Sequence, residues 1–242
     1  IVYDVFSVGN FYNRTDSDSR YVNVDGDTMT GNLTVGTTSS SQPILQFLSS
    51  TSGANTIHFG DGSSADAYRG YINYTHNNDA LELATSGTVG LKVDANGHVT
   101  KPLQSAFGAK KSGTQSNIPV YTETKINFES EIFDQNGDYN NSTSTFTAPV
   151  TGRYQINAHL FMQQINQSYA YAYMLIKTSN RNHAIEIGPG AFDSDASFSM
   201  TLCHLCDMDA SDTCTITIQF PNTGSAQTDI HEYSEFSGYL VA

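Results

Sequence analysis

The chain has 242 residues, 38% of them apolar, so it can bury a real core as one large β domain or as two modules. Its 24 acidic and 11 basic residues give a formal net charge of −13, which argues against nucleic acid as a partner because phosphate binding depends on Lys and Arg. The longest apolar runs are far shorter than the roughly 20 residues of a membrane-spanning helix, so we expect no membrane insertion.

Residues 1–20 mix aromatic, apolar and polar positions without a sustained period, and we interpret them as an extended or partly helical lead-in. The chain begins with Ile1 and not with Met. We therefore expect it to be a segment of a longer protein, with an upstream part joined to it.

Residues 21–102 predict a β-rich stalk or neck. Short β-like runs are separated by turn formers such as Asn-Gly and Ser-Gly pairs. Each run carries two or three inward residues, too few in one copy to offset an ordering entropy of about 1–2 kcal/mol per residue. Three intertwined chains around one axis would share a core. The runs are Ile44–Leu48, Thr56–Phe59, Gly70–Tyr74, Ala80–Leu83 and Val89–Val93.

Residues 103–242 predict a separate head, since Pro102 ends the preceding strand. Strands recur about every ten residues between Gly-, Pro- and Asn-rich turns, which favours an antiparallel sandwich of jelly-roll type. Alternate residues are apolar over three stretches, and each such set is expected to share one strand face. The stretches are Val120 to Phe128, Tyr154 to Met162 and Cys214 to Phe220.

The head carries a spaced motif at Phe128, Asp134, Tyr139, Phe146, Gly152 and Tyr154, followed near the end of the chain by the run from Phe236 to Val241. This motif resembles the C1q/TNF-like domain pattern. The resemblance implies an all-β fold with a trimeric C1q/TNF-like antiparallel jelly-roll head. Two later aromatic positions of the pattern hold Ile156 and Ala158, so we expect a neighbouring side chain to fill the space beside Ala158.

The region before the head contains three distinctive segments: the run from Ser17 to Asn23, GDTMTGNL from Gly26 to Leu33, and the β-rich stretch from Ile57 to Val99. These segments resemble parts of bacteriophage tail fibres. It implies a homotrimeric fibre tip in the virion, joined to an upstream tail-fibre segment. Such a tip would attach to a glycan or protein receptor on the host surface.

Three carboxylates crowd one predicted turn of the head: Asp207, Asp209 and Asp212. Carboxylates at this spacing can supply oxygen ligands to Ca²⁺, and the family resemblance includes heads that bind calcium. No bidentate Glu or fixed loop template accompanies them. An acidic, solvated hairpin turn explains the same residues.

Three tyrosines alternate with smaller residues: Tyr169, Tyr171 and Tyr173. Alternation predicts one aromatic strand face, and Tyr suits contacts with sugar or protein because its ring packs while its hydroxyl forms hydrogen bonds. We expect a subunit contact in first place, with receptor binding as the alternative.

The three cysteines, Cys203, Cys206 and Cys214, are too few for a disulfide scaffold, and reduced thiols are the default. A bridge from Cys206 to Cys214 is geometrically possible. Zinc is disfavoured because strand residues three apart point to opposite faces. The histidines are scattered, and we find no Ser-His-Asp order, phosphate loop or framed carboxylate pair. We expect neither a cofactor nor an enzymatic activity.

Two other functions compete with the fibre tip. A secreted or cell-surface C1q-like lectin or adhesin of a cellular organism would carry an upstream signal peptide and often a collagen-like stalk, and no Gly-X-Y period is present. A fibre-borne polysaccharide depolymerase would need a long β-helical body, and no such repeat is visible.

Overall fold

The computed structural model of the protein describes residues 34–35, 38–39, 41–192, 194–220 and 225–242. The chain divides into two compact units, Ile1–Leu48 and Ser49–Ala242. The predicted lead-in and the GDTMTGNL run lie outside the described residues. The predicted strand at Ile44–Leu48 is wrong, since these residues form no strand and their large apolar side chains are exposed.

The second unit begins with a five-stranded antiparallel meander, called the stalk sheet below. The glycines that end two of its hairpins, Gly87 and Gly97, have φ of +75° and +82°, the left-handed region that Gly adopts without strain. The four predicted runs from Thr56 to Val93 fall within its strands. These strands are β1 (Ala54–Phe59), β2 (Gly70–Thr75), β3 (Ala80–Thr85), β4 (Thr88–Val93) and β5 (Val99–Thr100).

The described residues of the head form twelve further strands: β6 (Ala106–Lys110), β7 (Thr124–Lys125), β8 (Ser130–Asp134), β9 (Tyr139–Asn140), β10 (Thr145–Thr147), β11 (Gly152–Ile165), β12 (Ala172–Thr178), β13 (Asn182–Ile187), β14 (Ala196–Met208), β15 (Thr213–Gln219), β16 (Asp229–Ile230) and β17 (Glu235–Leu240). Sheet I has the order β14-β11-β17-β6-β8, with β16 beside β11. Sheet II has the order β13-β12-β15-β10-β9, with β7 beside β15. All pairs are antiparallel, and the predicted jelly-roll sandwich is confirmed.

An aromatic cluster joins the two sheets. The ring of Phe107 on β6 stacks on Tyr139 at 4.9 Å and on Phe146 at 4.8 Å, both of sheet II. Phe236 on β17 meets Phe107 edge-on at 4.9 Å. Phe236 also lies directly opposite Ala158 on β11, so it occupies the space that the small side chain leaves. The core therefore contains the motif aromatics, as their spacing predicts.

Two of the three predicted strand faces are confirmed, because Tyr154 to Met162 and Cys214 to Phe220 bury their alternate residues completely. The third prediction is wrong in part. Only Thr124–Lys125 of the stretch from Val120 to Phe128 forms a strand. Tyr121 has φ of +71°, which interrupts extended backbone, while Ile126 and Phe128 still enter the core.

Two further motif residues, Asp134 and Gly152, stabilise the local structure around them. The carboxylate of Asp134 accepts hydrogen bonds from three backbone N–H groups, those of Gly137 (3.0 Å), Asp138 (3.1 Å) and Tyr139 (2.8 Å). A Cβ at Gly152 would lie 2.6 Å from the carbonyl oxygen of Ala242, so only glycine lets the last residue approach β11.

The stalk sheet joins the head at one end of the sandwich, called the stalk end. There the side chain of Gln135 donates to the carbonyls of Lys101 and Gln104, each at 2.8 Å. Because β6 and β17 are antiparallel neighbours, Ala106 and Tyr239 lie at the stalk end, while Lys110 and Glu235 lie toward the opposite, distal end.

Substitution Asp134→Ala leaves three amide donors without their acceptor, so we expect the free energy of unfolding to fall by about 2 kcal/mol. Urea unfolding at one fixed protein concentration measures this loss. Glu131→Ala, on the same strand with an exposed side chain, is the matched control and changes it by less than about 0.5 kcal/mol. Equal stability of the two variants would contradict this role of Asp134.

Candidate functional site

The stalk sheet has one apolar and one polar face. Ile57, Ile72, Leu83 and Leu91 lie directly opposite one another across β1 to β4. One neighbouring row on this face is also mainly apolar, with Tyr74, Leu81, Val93 and Val99, while Phe59 belongs to the row on the other side. Most of these side chains stay 36–60% exposed in the single chain. We call this set the stalk apolar face: Ile57, Phe59, Ile72, Tyr74, Leu81, Leu83 and Val99.

The other face of the stalk sheet is held by polar contacts. The hydroxyl of Thr56 donates to the Asn73 amide oxygen at 2.7 Å, and Lys92 pairs with Glu82 at 3.0 Å. A sheet face of hydrogen-bonded polar side chains can be exposed to water at little cost in free energy, whereas exposing a contiguous apolar face is unfavourable. The stalk apolar face is therefore the less favourable side to leave exposed to water.

Sheet I of the head continues this pattern near the stalk end. Along β11, β14 and β17, alternate side chains enter the core and the others point outward. Leu205 and Tyr239 are outward on β14 and β17 and about half exposed. The ring of Phe133, also half exposed, lies over Gly108, where an added Cβ would meet it at 2.8 Å. We call Phe133, Leu205 and Tyr239 the head apolar patch.

The stalk apolar face and the head apolar patch adjoin each other. A cavity of about 430 Å³ between them is lined by Val99 of the stalk sheet and by Tyr239 and Leu240 of the head. We call the two sets together the candidate contact surface.

The outer face of sheet II is different. Lys177 there forms an ion pair with Glu123 at 2.7 Å, and the other outward residues are mostly polar, such as Thr215, Glu186 and Lys125, with Tyr173 and Leu175 partly exposed among them. Such a face is stable in water without a partner. Among the described residues of the head, the outward apolar patch next to the stalk sheet lies on sheet I.

The three predicted tyrosines do not share one face. Tyr169 precedes β12, is fully buried, stacks on Phe220 at 4.7 Å and donates its hydroxyl to the Ser225 carbonyl at 2.6 Å. The prediction is therefore wrong for Tyr169, which is a core residue. Tyr171 and Tyr173 lie 4.8 Å apart and are partly exposed, and a hydrogen bond with Glu186 raises the pKa of Tyr173.

The three aspartates do not converge. Asp207 on β14 forms ion pairs with Arg153 and Arg181, while Asp212 accepts hydrogen bonds from the Asp209 amide (2.8 Å) and the Asn180 side chain (2.6 Å). Across the described residues, no group of three or more His, Cys, Asp or Glu side chains is arranged to hold a metal ion. The carboxylates serve a hairpin at the stalk end, so the calcium prediction gains no support from the geometry.

The cysteines are free thiols. Cys206 and Cys214 are buried, and burial raises the pKa of Cys206 to about 11 and that of Cys214 further, so both stay protonated and unreactive. Cys203 is exposed on the outer face of sheet I, opposite Asn157.

Two of the scattered histidines meet at the edge of the sandwich. The rings of His183 on β13 and His204 on β14 stack with centroids 3.7 Å apart. Burial lowers the pKa of His183, and the nearby charges of His204 and Arg181 lower it further.

The described residues contain no helix long and apolar enough to span a membrane.

The sequence reasoning missed the head apolar patch. Leu205 and Tyr239 alternate with buried neighbours, so the pattern placed them outward, but outward apolar residues are common and single ones carry no signal. Their significance depends on the register that brings β14, β11 and β17 side by side, with Leu205 and Tyr239 on either side of Gln155.

The chain is similar to one protein family and to several solved structures. The family model of the C1q domain matches residues 106–241. Among solved structures, the globular domain of zebrafish complement 1qA is similar at 18% identity and a TM-score of 0.45, over 57% of this chain and 98% of that one. Murine APRIL, crystallised at pH 8.0, is similar at 9% identity and a TM-score of 0.42, over 57% and 99%. A comparison with curated proteins gave no match.

The family match covers more than half of the chain and includes all six motif positions from Phe128 to Tyr154. Phe128, Tyr139, Phe146 and Tyr154 are buried in the core of the sandwich. The chain therefore belongs to the C1q domain family.

Proposed function

We propose that this chain is the homotrimeric, non-enzymatic tip of a bacteriophage tail fibre, which attaches the virion to a receptor on the host-cell surface. C1q domains are commonly trimeric binding domains and typically lack enzymatic activity. The resemblance of the run from Gly26 to Leu33 to tail-fibre segments supports the fibre assignment. An upstream fibre segment would join the chain to the virion.

The observation that carries the proposal is the uncovered stalk apolar face. Seven large apolar side chains stay exposed on one side of the sheet, while the opposite side is polar and hydrogen-bonded. Burying an apolar face of this kind is favourable by about 25 cal/mol per Å² removed from water. Three copies packed around one axis would bury it and protect the sheet edges, as a thin fibre requires.

The head apolar patch extends this contact from the stalk into the C1q domain. Val99 and Tyr239 line the same cavity, so a trimer formed by the stalk brings the stalk ends of three heads together. The outer face of sheet II, with its ion pair between Lys177 and Glu123, would remain in solvent. The trimer therefore leaves the distal ends of three heads free for the receptor.

Three equivalent heads suit a repetitive host surface. Once one head has bound, the others are held at a high effective concentration, so weak single contacts add up to firm attachment. A surface glycan presents many identical copies of one epitope and makes full use of this effect.

The rate at which the cysteines react with a thiol reagent tests whether the trimer forms. We expect none of the three cysteines to react rapidly with a thiol reagent in the native protein, because Cys206 and Cys214 are buried in the core and Cys203 lies on the outer face of sheet I that faces a second copy. In the double variant L83D/Y239D, which places charges in both parts of the candidate contact surface, one thiol per chain should react.

The control for this experiment is Asn182→Asp, which adds a charge on β13 in sheet II and should leave Cys203 protected. Rapid reaction of Cys203 in the native protein, at the rate seen in the double variant, would show that the part of sheet I around Cys203 faces solvent, and would contradict the trimer contact.

Adsorption tests the attachment function. We expect the labelled native protein to bind at least one strain in a panel of bacteria, and to lose this binding on mutants of that strain that lack surface glycan. The L83D/Y239D variant should bind at least about 100-fold more weakly because avidity is lost. If the native protein adsorbs to none of the strains, the proposed function is contradicted.

A further inference from the structure

The turn at residues 231–234 is fixed on the distal half of sheet I. The His231 amide donates to the Phe161 carbonyl at 2.8 Å, and the Phe161 amide donates to the Ser234 hydroxyl at 2.9 Å. The turn is closed by the Ser234 amide, which donates to the His231 carbonyl at 3.1 Å. Three hydrogen bonds thus tie a short turn to the central strand β11 and to itself.

This turn displays an aromatic ring in a fixed place. Tyr233 is 68% exposed, yet its ring packs edge-on against His231 at 4.5 Å, and His231 packs edge-on against Phe161 at 5.4 Å. The backbone carbonyl of Tyr233 lies 3.3 Å from Nδ1 of His159. Folding gains little from so exposed a ring, whereas a ligand gains a preorganised surface.

Beside Tyr233 lies a cavity of about 590 Å³, a size typical of small-ligand sites. Lys110 and Glu235 line it from directly opposite positions on β6 and β17, and the other lining residues are Lys111, Ser112, Ser130, Glu232 and Tyr233. The Lys111 ammonium is already used, since it donates to the Asn127 carbonyl at 3.0 Å. In the part of the chain that the structure describes, the side chains of Lys110, Glu232 and Glu235 have neither a hydrogen-bond nor an ion-pair partner. Two free carboxylates and one free ammonium therefore surround an exposed ring.

This combination matches the chemistry of a sugar. The apolar C–H face of a pyranose packs on an aromatic ring, and its hydroxyls donate to carboxylates and accept from ammonium and hydroxyl groups. The lining carries two carboxylates, Glu232 and Glu235, and two ammonium groups, Lys110 and Lys111, so it has no net charge, while the chain as a whole carries −13 and repels acidic sugars. The fit is to neutral hexose units.

We propose that the cavity beside Tyr233 binds a neutral glycan, with Tyr233 as the stacking platform and Glu235, Glu232 and Lys110 as hydrogen-bonding partners. The inference rests on the proposed attachment function and names its ligand class and site. The cavity lies toward the distal end of sheet I, away from the head apolar patch at the stalk end.

Binding of the intact native protein is measured on an array of neutral oligosaccharides of glucose, galactose and mannose, with oligogalacturonate as the acidic probe. We expect binding to at least one neutral oligosaccharide and none to oligogalacturonate. Calorimetry with the best probe should show at least tenfold weaker binding for Tyr233→Ala, a change within about threefold for Tyr233→Phe, and about three- to tenfold weaker binding for Glu235→Gln.

The matched control is Tyr68→Ala, which removes another exposed tyrosine that packs edge-on against a histidine, His58 at 4.8 Å, but lies in the stalk region. Its affinity should equal that of the native protein. Light scattering on every variant confirms that the assembly of the native protein is kept, so a loss of binding reports on the site.

Three results would overturn the inference: binding to no neutral oligosaccharide, binding to oligogalacturonate alone, or unchanged affinity of Tyr233→Ala. If the native protein still adsorbs to bacteria in these cases, the attachment function stands and only the site or ligand class fails. If the native protein adsorbs to no strain, the attachment function fails and this inference fails with it.

Discussion

The head depends on an aromatic contact between its two sheets. Phe107 of sheet I lies against Tyr139 and Phe146 of sheet II at less than 5 Å, and Phe236 closes the cluster from β17. Tyr139 is anchored by its hydroxyl, which donates to the Phe128 carbonyl at 2.8 Å, and burial raises the pKa of this phenol to about 12. Because this cluster holds the sandwich together from within, the outer faces of the sheets are free to serve contacts.

The outer face of sheet I differs in chemical character between its stalk end and its distal end. Near the stalk end, sheet I presents Phe133, Leu205 and Tyr239 in continuity with the stalk apolar face, which suits contact between copies. Toward the distal end the same sheet presents Lys110, Glu235 and the exposed ring of Tyr233. An apolar region that favours assembly is thus separated along one sheet from a polar region that favours a hydrated ligand.

The sequence predicted the head well because its motif residues answer local demands. Asp134 holds the amides of the turn that follows it, and Gly152 makes room for Ala242. The prediction that Tyr169 belongs to an aromatic strand face was wrong because an alternating pattern of residues does not show where a strand begins. Strand β12 starts only at Ala172. The Tyr233 cavity was not foreseen, since only the register of β6 and β17 brings Lys110 beside Glu235.

The central claim is that the apolar surface of one chain is covered by two further copies. Sedimentation equilibrium of the native protein measures this most directly, because it yields mass without assuming a shape. The account predicts a single species of three times the chain mass of 26.3 kDa, and dissociation when Leu83 and Tyr239 are both replaced by Asp. A stable native species of 26.3 kDa would contradict it.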